Sequence, residues 1–93
     1  MSITKIDTDF TPETHTINTA SAQSSVINTG SGRVRIATTT HCHIKFGLNP
    51  TATEEDILLP ANHVEVFSFA SGHKIAFIHH GAGTGEINIA TVD

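Results

Sequence analysis

The chain has 93 residues with one cysteine, and its formal net charge is −4 when its seven histidines are neutral. This length makes one domain with a modest core, and a lone cysteine excludes an internal disulfide bond. Five basic residues do not form the patch that phosphate binding needs, and no apolar run approaches the roughly 18–20 residues that span a bilayer, so we expect neither nucleic-acid nor membrane binding.

Residues 1–32 are predicted to form an extended polar arm. They begin MSITKIDTDF, without the positively charged start and apolar stretch of a secretory signal, so we expect the protein in a reducing cytoplasm. Between residues 11 and 32, fourteen of twenty-two residues are Ser, Thr, Asn, Gln or Gly, so we expect the arm to be ordered by docking. The alternative is one or two ordinary edge strands, which residues 24–28 support equally well.

Residues 33–93 predict a compact domain of short β-strands. Ile and Val number sixteen in the chain against three Leu, and β-branched side chains favour a pleated sheet. The apolar runs are short, most are bounded by Gly, Pro, Asn or Ser, and no helical stretch separates them. This pattern predicts an all-β fold, a small antiparallel β-sandwich or barrel.

The first two strands of this domain alternate between apolar and polar residues. Residues 33–38 place Val34 and Ile36 on one face. Residues 41–46 place Cys42 on an apolar face and two histidines and a lysine on the other. Because the connection between the two strands is so short, we predict that they pair as a hairpin.

Two further strands follow a polar loop. A strand at residues 57–59 is predicted to end at Pro60. In the next strand, residues 63–69, Val64 and Val66 are predicted to face the core.

The strand at residues 74–79 is apolar on both faces. Ile75 and Phe77 lie on one face, and Ala76 and Ile78 lie on the other. We therefore expect this strand to be covered from both sides, by the second sheet and by a partner or the arm.

Histidines are the residues of this chain most able to bind a metal. His41 and His43 share a strand face at the i, i+2 spacing that lets two imidazoles reach one ion. A third ligand would have to come from His63 or His73, or from another subunit at a symmetry axis. His-x-His alone is a weak signal that exposed residues of a half-buried strand also explain, so we expect no metal site.

No other set of residues predicts catalysis or cofactor binding. Cys42 alternates with apolar residues, which predicts a buried structural thiol rather than a nucleophile. The acidic residues 54–56 lack an opposing carboxylate for acid–base chemistry and predict a solvated loop. The sequence GAGTGE at residues 81–86 leads into the final strand, residues 86–92, and lacks the Lys-Ser/Thr and the helix of a phosphate-binding loop. We expect a protein that is not an enzyme.

From residue 33 onward, five segments follow one another in a distinctive order. They are the strand at 34–38, CHIKFG at 42–47, the loop NPTAT at 49–53, LLPAN at 58–62 and SGHKIA at 71–76, followed by a glycine loop and a last strand. This pattern covers residues 33–92 and resembles small accessory virion proteins of tailed bacteriophages, of the head-decoration or cement type.

The resemblance implies a structural virion protein that binds the outer surface of a phage capsid as a homo-oligomer, often a trimer, and reinforces it. The implied partner is the major capsid protein, and the implied location is the capsid surface, with the host cytoplasm during assembly. No catalytic residue is implied. The physical chemistry agrees, because a capsid lattice lets weak contacts add up and a Thr-rich arm can add a strand to a neighbouring subunit.

Three other functions fit parts of the sequence. A phage tail or neck component is the nearest to the first. A small ligand- or glycan-binding β module would use residues 53–56 and 81–85 as its tips, although the chain has five Phe and neither the Trp nor the Tyr typical of sugar-binding faces. A small metal-dependent barrel enzyme would use His41 and His43.

Overall fold

A computed structural model of the chain describes residues 12–28 and 31–92. Its strands are β1 (Glu13–Ile17), β2 (Ala22–Gln23), β3 (Arg33–Thr38), β4 (Cys42–Gly47), β5 (Ile57–Leu59), β6 (Val64–Ser68), β7 (Lys74–His79) and β8 (Gly85–Val92). The described residues form no helix, which confirms the predicted all-β fold. A helix of the length and apolarity needed to cross a membrane is accordingly absent from this part of the chain.

The strands form two four-stranded antiparallel sheets that pack face to face as a sandwich. Sheet I has the strand order β1-β8-β3-β6, and sheet II has the order β2-β7-β4-β5. Every pairing in both sheets is antiparallel. This order of eight strands is that of a jelly roll, in which two Greek keys interlock.

The predicted hairpin between residues 33–38 and 41–46 is wrong. β3 pairs with β6 and β8 in sheet I, whereas β4 pairs with β5 and β7 in sheet II. The short connection carries the chain across the sandwich, because Val34 and Ile36 then meet Cys42 and Ile44 in the core. All four side chains are 0 % exposed.

The core lies between the inner faces of the two sheets. Alternate residues of each strand point into it, as the pleat requires. Its buried members are Ile17, Ile27, Val34, Ile36, Cys42, Ile44, Leu59, Ile75, Phe77, Ile87 and Ile89. Eight of these eleven are Ile or Val, so the predicted role of the β-branched residues is confirmed.

The loop between β4 and β5, residues 48–56, crosses the outer face of sheet II. Gln23 Nε2 donates hydrogen bonds to Asn49 Oδ1 (2.9 Å) and to the carbonyl oxygen of Pro50 (2.7 Å). The backbone N–H of Ala52 donates to Ser21 Oγ (2.9 Å). Since the loop starts beside β4 and reaches the flanks of β2, it passes over β7, which lies between them. We call it the crossing loop.

The crossing loop explains why β7 is apolar on both faces. Ile75 and Phe77 point into the core, and Ala76 on the opposite face is also 0 % exposed. The prediction that β7 is covered on both sides is confirmed. The outer cover that the structure shows over Ala76 is the crossing loop of the same chain, fastened to Ser21 and Gln23 of the predicted arm.

Part of the predicted arm belongs to the sandwich. β1 pairs with β8 at the edge of sheet I, and β2 pairs with β7 at the edge of sheet II. Ile17 and Ile27 are 0 % exposed and join the core. Residues 12–28 therefore contribute two edge strands, and the rest of the predicted arm, apart from residues 31 and 32, lies outside the described residues.

Candidate functional site

Exposed apolar side chains concentrate on one side of the sandwich. In the described part of the chain, the exposed large apolar residues are Val26, Leu48, Ile57, Leu58, Val64 and Val66. Four of these six lie on β5 and β6, with exposures between 44 % and 52 %. We call this surface, made of Ile57, Leu58, Val64 and Val66, the β5–β6 side.

β6 is an edge strand of sheet I and β5 is an edge strand of sheet II, and both edges lie at the same side of the sandwich. Residues 60–63 join them directly. Phe46 of β4 packs against Phe67 of β6, with ring centroids 5.7 Å apart, so β6 lies above the β4–β5 end of sheet II. The two edges therefore lie next to each other, although Leu58 and the two valines point to opposite outer faces of the sandwich.

Val64 and Val66 point away from the core, contrary to the prediction. The register of sheet I pairs Phe67 with the core residue Val34, and pairs Val66 with Arg35. Directly opposite residues of antiparallel strands share a face, so Phe67 points inward and the two valines point outward. The segment VEVFS has apolar residues on both of its alternating faces, Val64 and Val66 on one and Phe67 on the other. The packing of Phe67 determines which face points inward.

The sandwich is open along the β5–β6 side. Glu65 lies opposite Ile36, and Ile57 lies opposite Ile44, so both belong to inner faces. Ile36 and Ile44 are fully buried, whereas Glu65 and Ile57 are exposed. Inward-facing positions at this rim thus reach solvent instead of packing against the other sheet.

β6 is also an unpaired sheet edge. One edge of the strand pairs with β3, and among the described strands none pairs with its other edge. Such an edge presents free backbone N–H and C=O groups that can accept another strand. On the neighbouring strand, Arg33 and Arg35 occupy the same outward face as the valines.

The structure separates the histidines that were candidates for sharing a metal ion. His43 is buried, and its ring lies against that of His80 rather than that of His41. His41 Nδ1 instead accepts a hydrogen bond from the backbone N–H of Ala61 (2.9 Å). Neither His63 nor His73 joins His43, and no group of three or more His, Cys, Asp or Glu that could hold a metal occurs within residues 12–28 and 31–92.

The ring tautomers of His43 and His80 follow from their partners. His43 Nδ1 lies 3.0 Å from the carbonyl oxygen of Asp56, which can only accept, so this nitrogen carries the hydrogen. In the neutral ring, Nε2 of His43 must then accept, and His80 Nδ1 donates to it across 2.8 Å. His43 therefore links β4 to the end of the crossing loop and to the residue that follows β7.

His79 points to the opposite face from His80, as adjacent residues of a strand must. It pairs with Cys42 in the register of sheet II, and Nε2 of its ring lies 2.7 Å from Thr40 Oγ1. A Cβ atom on Gly83 would meet the His79 ring at 3.0 Å, so the glycine loop packs directly on this ring.

Cys42 is a buried thiol, as predicted. Its side chain is 0 % exposed and belongs to the core. Burial raises the pKa of the Cys42 thiol to about 11. At neutral pH the thiol is therefore protonated and out of reach of a substrate, the opposite of what nucleophilic chemistry needs.

The acidic loop (residues 53–56) and the glycine loop (residues 81–85), which would be the tips of a ligand-binding module, touch each other. Glu54 Oε1 accepts a hydrogen bond from the backbone N–H of Gly81 (2.7 Å). Asp56 Oδ2 accepts from the backbone N–H of Thr53 (2.8 Å) and closes a turn over residues 53–56. The carboxylates of Glu54 and Asp56 thus fasten the crossing loop to itself and to the β7–β8 connection.

Two shallow depressions lie on the described surface. One, of about 280 Å³, lies on the outer face of sheet I and has Glu86 as its one ionisable lining residue. The other, of about 420 Å³, lies beside the start of the crossing loop and has Lys45 in that role. A single ionisable group in each gives no pair of residues for acid–base chemistry.

Sequence reasoning missed both the β5–β6 side and the His43–His80 pair. The alternation of residues 64–68 can be read from the sequence. The large side chain of Phe67 is the signal that could have shown which face of the strand points to the core. The histidine pair joins residues 37 positions apart and depends on β4 lying next to β7, which no local pattern reveals.

Comparison with protein-family models, with curated proteins and with solved structures finds no match.

Proposed function

We propose that this protein is a structural virion protein that binds the outer surface of a tailed-bacteriophage capsid as an oligomer and reinforces it. The observation that carries the proposal is the β5–β6 side, where four half-exposed apolar side chains adjoin an unpaired strand edge. Exposed apolar side chains beside an unpaired strand edge are typical of a site of association with other proteins.

The fold is compatible with the proposal, and the sequence pattern favours it. Jelly rolls serve as capsid, lectin and cupin domains, so the fold alone does not choose among these functions. The order of segments across residues 33–92 favours the virion function, because it resembles phage head-decoration proteins. The proposed partner is the major capsid protein, and the proposed location is the capsid surface after assembly in the host cytoplasm.

Reinforcement of this kind requires contacts and no chemistry. A capsid presents the same surface many times, so an oligomer that engages several neighbouring sites gains affinity without new contacts at each one. The resemblance implies a trimer, and mass measurement of the free protein tests that number. A tail or neck component would use the same surface at a different place in the particle.

Binding to capsids that lack the protein is the direct test. We expect purified protein to co-sediment with such capsids and to appear as added density on the shell by electron microscopy. Replacing the two exposed β5 residues, Ile57→Lys with Leu58→Lys, should weaken co-sedimentation, since these side chains are half-exposed in the free protein. The matched control is Leu48→Lys, an exposed apolar residue of the crossing loop, outside β5 and β6. Absence of wild-type protein from the shell would overturn the proposal.

A second candidate is a small ligand-binding module, and one observation favours it. The hydrogen bond between Glu54 and Gly81 brings the acidic loop and the glycine loop into one patch with Glu55. Carboxylate oxygens are suitable ligands for Ca²⁺. A calcium titration and a glycan array, each followed by a shift in thermal unfolding, test this function, and no response in either removes it.

A further inference from the structure

We propose that β6 pairs with β6 of a second copy in antiparallel orientation, so that two copies of sheet I become one eight-stranded sheet. This deepens the proposed function and rests on its being an oligomer. A two-fold contact through β6 joins copies in pairs, so it predicts a dimer, or an assembly of dimers, in place of the trimer that the resemblance implies. The inference comes from the shape of the free edges and from the charges along β6.

β6 is the most suitable of the free edges for adding a strand. β2 has two residues and β5 has three, and Pro60 follows β5 at once. β1 has five residues, but its outward side chains are the polar Thr14 and Thr16. β6 has five residues with two exposed valines, and no Lys or Pro interrupts it. Those are the residues that usually protect an edge from another strand.

A two-fold pairing allows few registers. When the two-fold axis is perpendicular to the sheet, the outward faces of the two copies lie on the same side of the joined sheet. One residue of β6 must then lie opposite the same residue of the second copy, at the centre of the pairing. Centring on Glu65 places two carboxylates directly opposite, which is destabilising. Centring on Phe67 places Val66 opposite Ser68 and separates the valines. Centring on Val66 avoids both faults.

The register centred on Val66 is self-complementary. Val66 lies against Val66 of the second copy, and each Val64 lies against Ser68 and diagonally near the other copy's Val66. Each Glu65 faces Phe67 of the other copy and no like charge. Arg35 lies beside Val66 on the neighbouring strand β3, on the same face of the sheet. In the paired sheet the two Arg35 residues are three strand spacings apart, about 14 Å, so salt at physiological ionic strength screens their repulsion.

Glu65 thereby sets which strand can be added. An inward-pointing charge at an edge blocks indiscriminate pairing. Here the carboxylate is exposed at the open rim, so it tolerates an aromatic neighbour and rejects a second carboxylate. The same residue that prevents open-ended aggregation thus selects one register of one partner, a second copy of this chain.

Cysteine cross-linking tests the register directly. Opposite residues of antiparallel strands have Cα atoms about 4.5–5.5 Å apart, within the range of a disulfide bond. We expect Val66→Cys to form a covalent dimer under mild oxidation, and a mixture of Val64→Cys with Ser68→Cys to form a heterodimer. Leu48→Cys, at an exposed position in the crossing loop and outside β6, is the control that should stay uncross-linked. The native Cys42 is buried and does not compete.

The mass of the native protein gives the second test. The chain has a mass of 9.9 kDa, and we expect the wild type to reach at least twice that mass at micromolar concentration. Val66→Lys places two ammonium groups opposite each other and should return the protein to the mass of one chain, whereas Leu48→Lys should not. If Val66→Lys fails to fold, the Val66→Cys cross-link still decides the matter.

Two results would overturn the pairing. One is a wild type that stays at the mass of one chain; the other is an oligomer in which Val66→Cys cross-links no better than Leu48→Cys. Either result can occur while the protein still binds capsids, so failure of the pairing and failure of the capsid function are distinguishable. A dimer that shows the expected cross-links and binds no capsid would contradict the proposed capsid function and would leave the proposed pairing supported.

Discussion

His80 Nδ1 donates a hydrogen bond to Nε2 of the buried His43 across 2.8 Å. His43 in turn donates from Nδ1 to the carbonyl oxygen of Asp56 at the end of the crossing loop. A buried polar ring is stable only when its nitrogens are paired. The exposed His80 therefore completes the bonding of a residue that holds the crossing loop over sheet II.

Replacing His80 with alanine should destabilise the protein by about 1–3 kcal/mol. The substitution leaves Nε2 of His43 without its donor in a site that is 4 % exposed, and an unpaired buried acceptor costs that much. Urea unfolding measures the change. The control is His63→Ala, an exposed histidine, which should alter the unfolding free energy by less than about 0.5 kcal/mol. Equal effects of the two variants would contradict the role of the pair.

Gly85→Ala should destabilise the sandwich by about 1–3 kcal/mol through overcrowding. A Cβ atom at this position would collide with Thr40 Cγ2 and would lie 2.6 Å from Thr40 Cβ. Gly47→Ala is the matched control, because its added Cβ would meet Pro50 Cβ at 3.4 Å, an ordinary contact. Combining Gly85→Ala with Thr40→Gly should recover part of the loss. Thermal unfolding of the four proteins measures the effect, and a Gly85→Ala melting temperature equal to the wild type would rule out the close approach.

Cys42 should react with thiol reagents only when the protein unfolds. Burial raises its pKa from 9.0 to about 11, so the folded state keeps the thiol protonated where the unfolded state has begun to ionise it. The stability from the neutral thiol is therefore complete below pH 9 and is lost as the pH rises toward 11. Two pKa units correspond to at most about 3 kcal/mol. Unfolding free energies between pH 8 and 11 should fall more steeply for the wild type than for Cys42→Ala; parallel slopes would contradict the shift.

Glu13 should contribute stability that disappears in acid. Partial burial raises its pKa, but hydrogen bonds from Ser25 Oγ and from the Ser25 backbone N–H, together with His15, outweigh burial, and the pKa of Glu13 lies below 4.5. Its contribution is present above pH 4.5 and is lost as the pH falls through the lowered pKa. Chemical unfolding from pH 6 down to pH 3 should show a smaller loss for Glu13→Gln than for the wild type.

Ser25→Ala tests the same contact at neutral pH. It should cost about 1 kcal/mol, because Glu13 Oε2 loses the hydrogen bond from Ser25 Oγ, while the bond from the Ser25 backbone N–H to Oε1 remains. Thr16→Ala, an exposed substitution on the same strand as Glu13, should cost less than about 0.5 kcal/mol. Comparable losses in the two variants would show that the Ser25–Glu13 contact adds nothing.

The class of fold and the position of most strands could be predicted from the sequence. The short β-branched runs and the turn residues between them predict strands locally, and strand boundaries follow from Gly, Pro and Asn. The pairing of strands could not be predicted in the same way. A connection as short as residues 39–41 fits a hairpin as well as a crossing between sheets, and the choice depends on core contacts between Ile36 and residues far along the chain.

The candidate site was harder to predict than the fold. Alternation in residues 64–68 shows which side chains share a face, and it does not show which face is inside. Burial of Phe67 against Phe46 settles that question only after both sheets exist. For the same reason His41 looked like the natural neighbour of His43, although the sheet places His80 beside it.

The location of β8 between β1 and β3 governs when the chain can acquire its structure. β8 is the last of the eight strands to leave the ribosome, and until it arrives β1 has no neighbour in its sheet and β3 has only β6. Sheet I can therefore be completed only after translation has passed Val92, and until then the isoleucines of β3 lack part of their cover. Unfinished chains with exposed strand edges are prone to aggregate when many copies are translated at once.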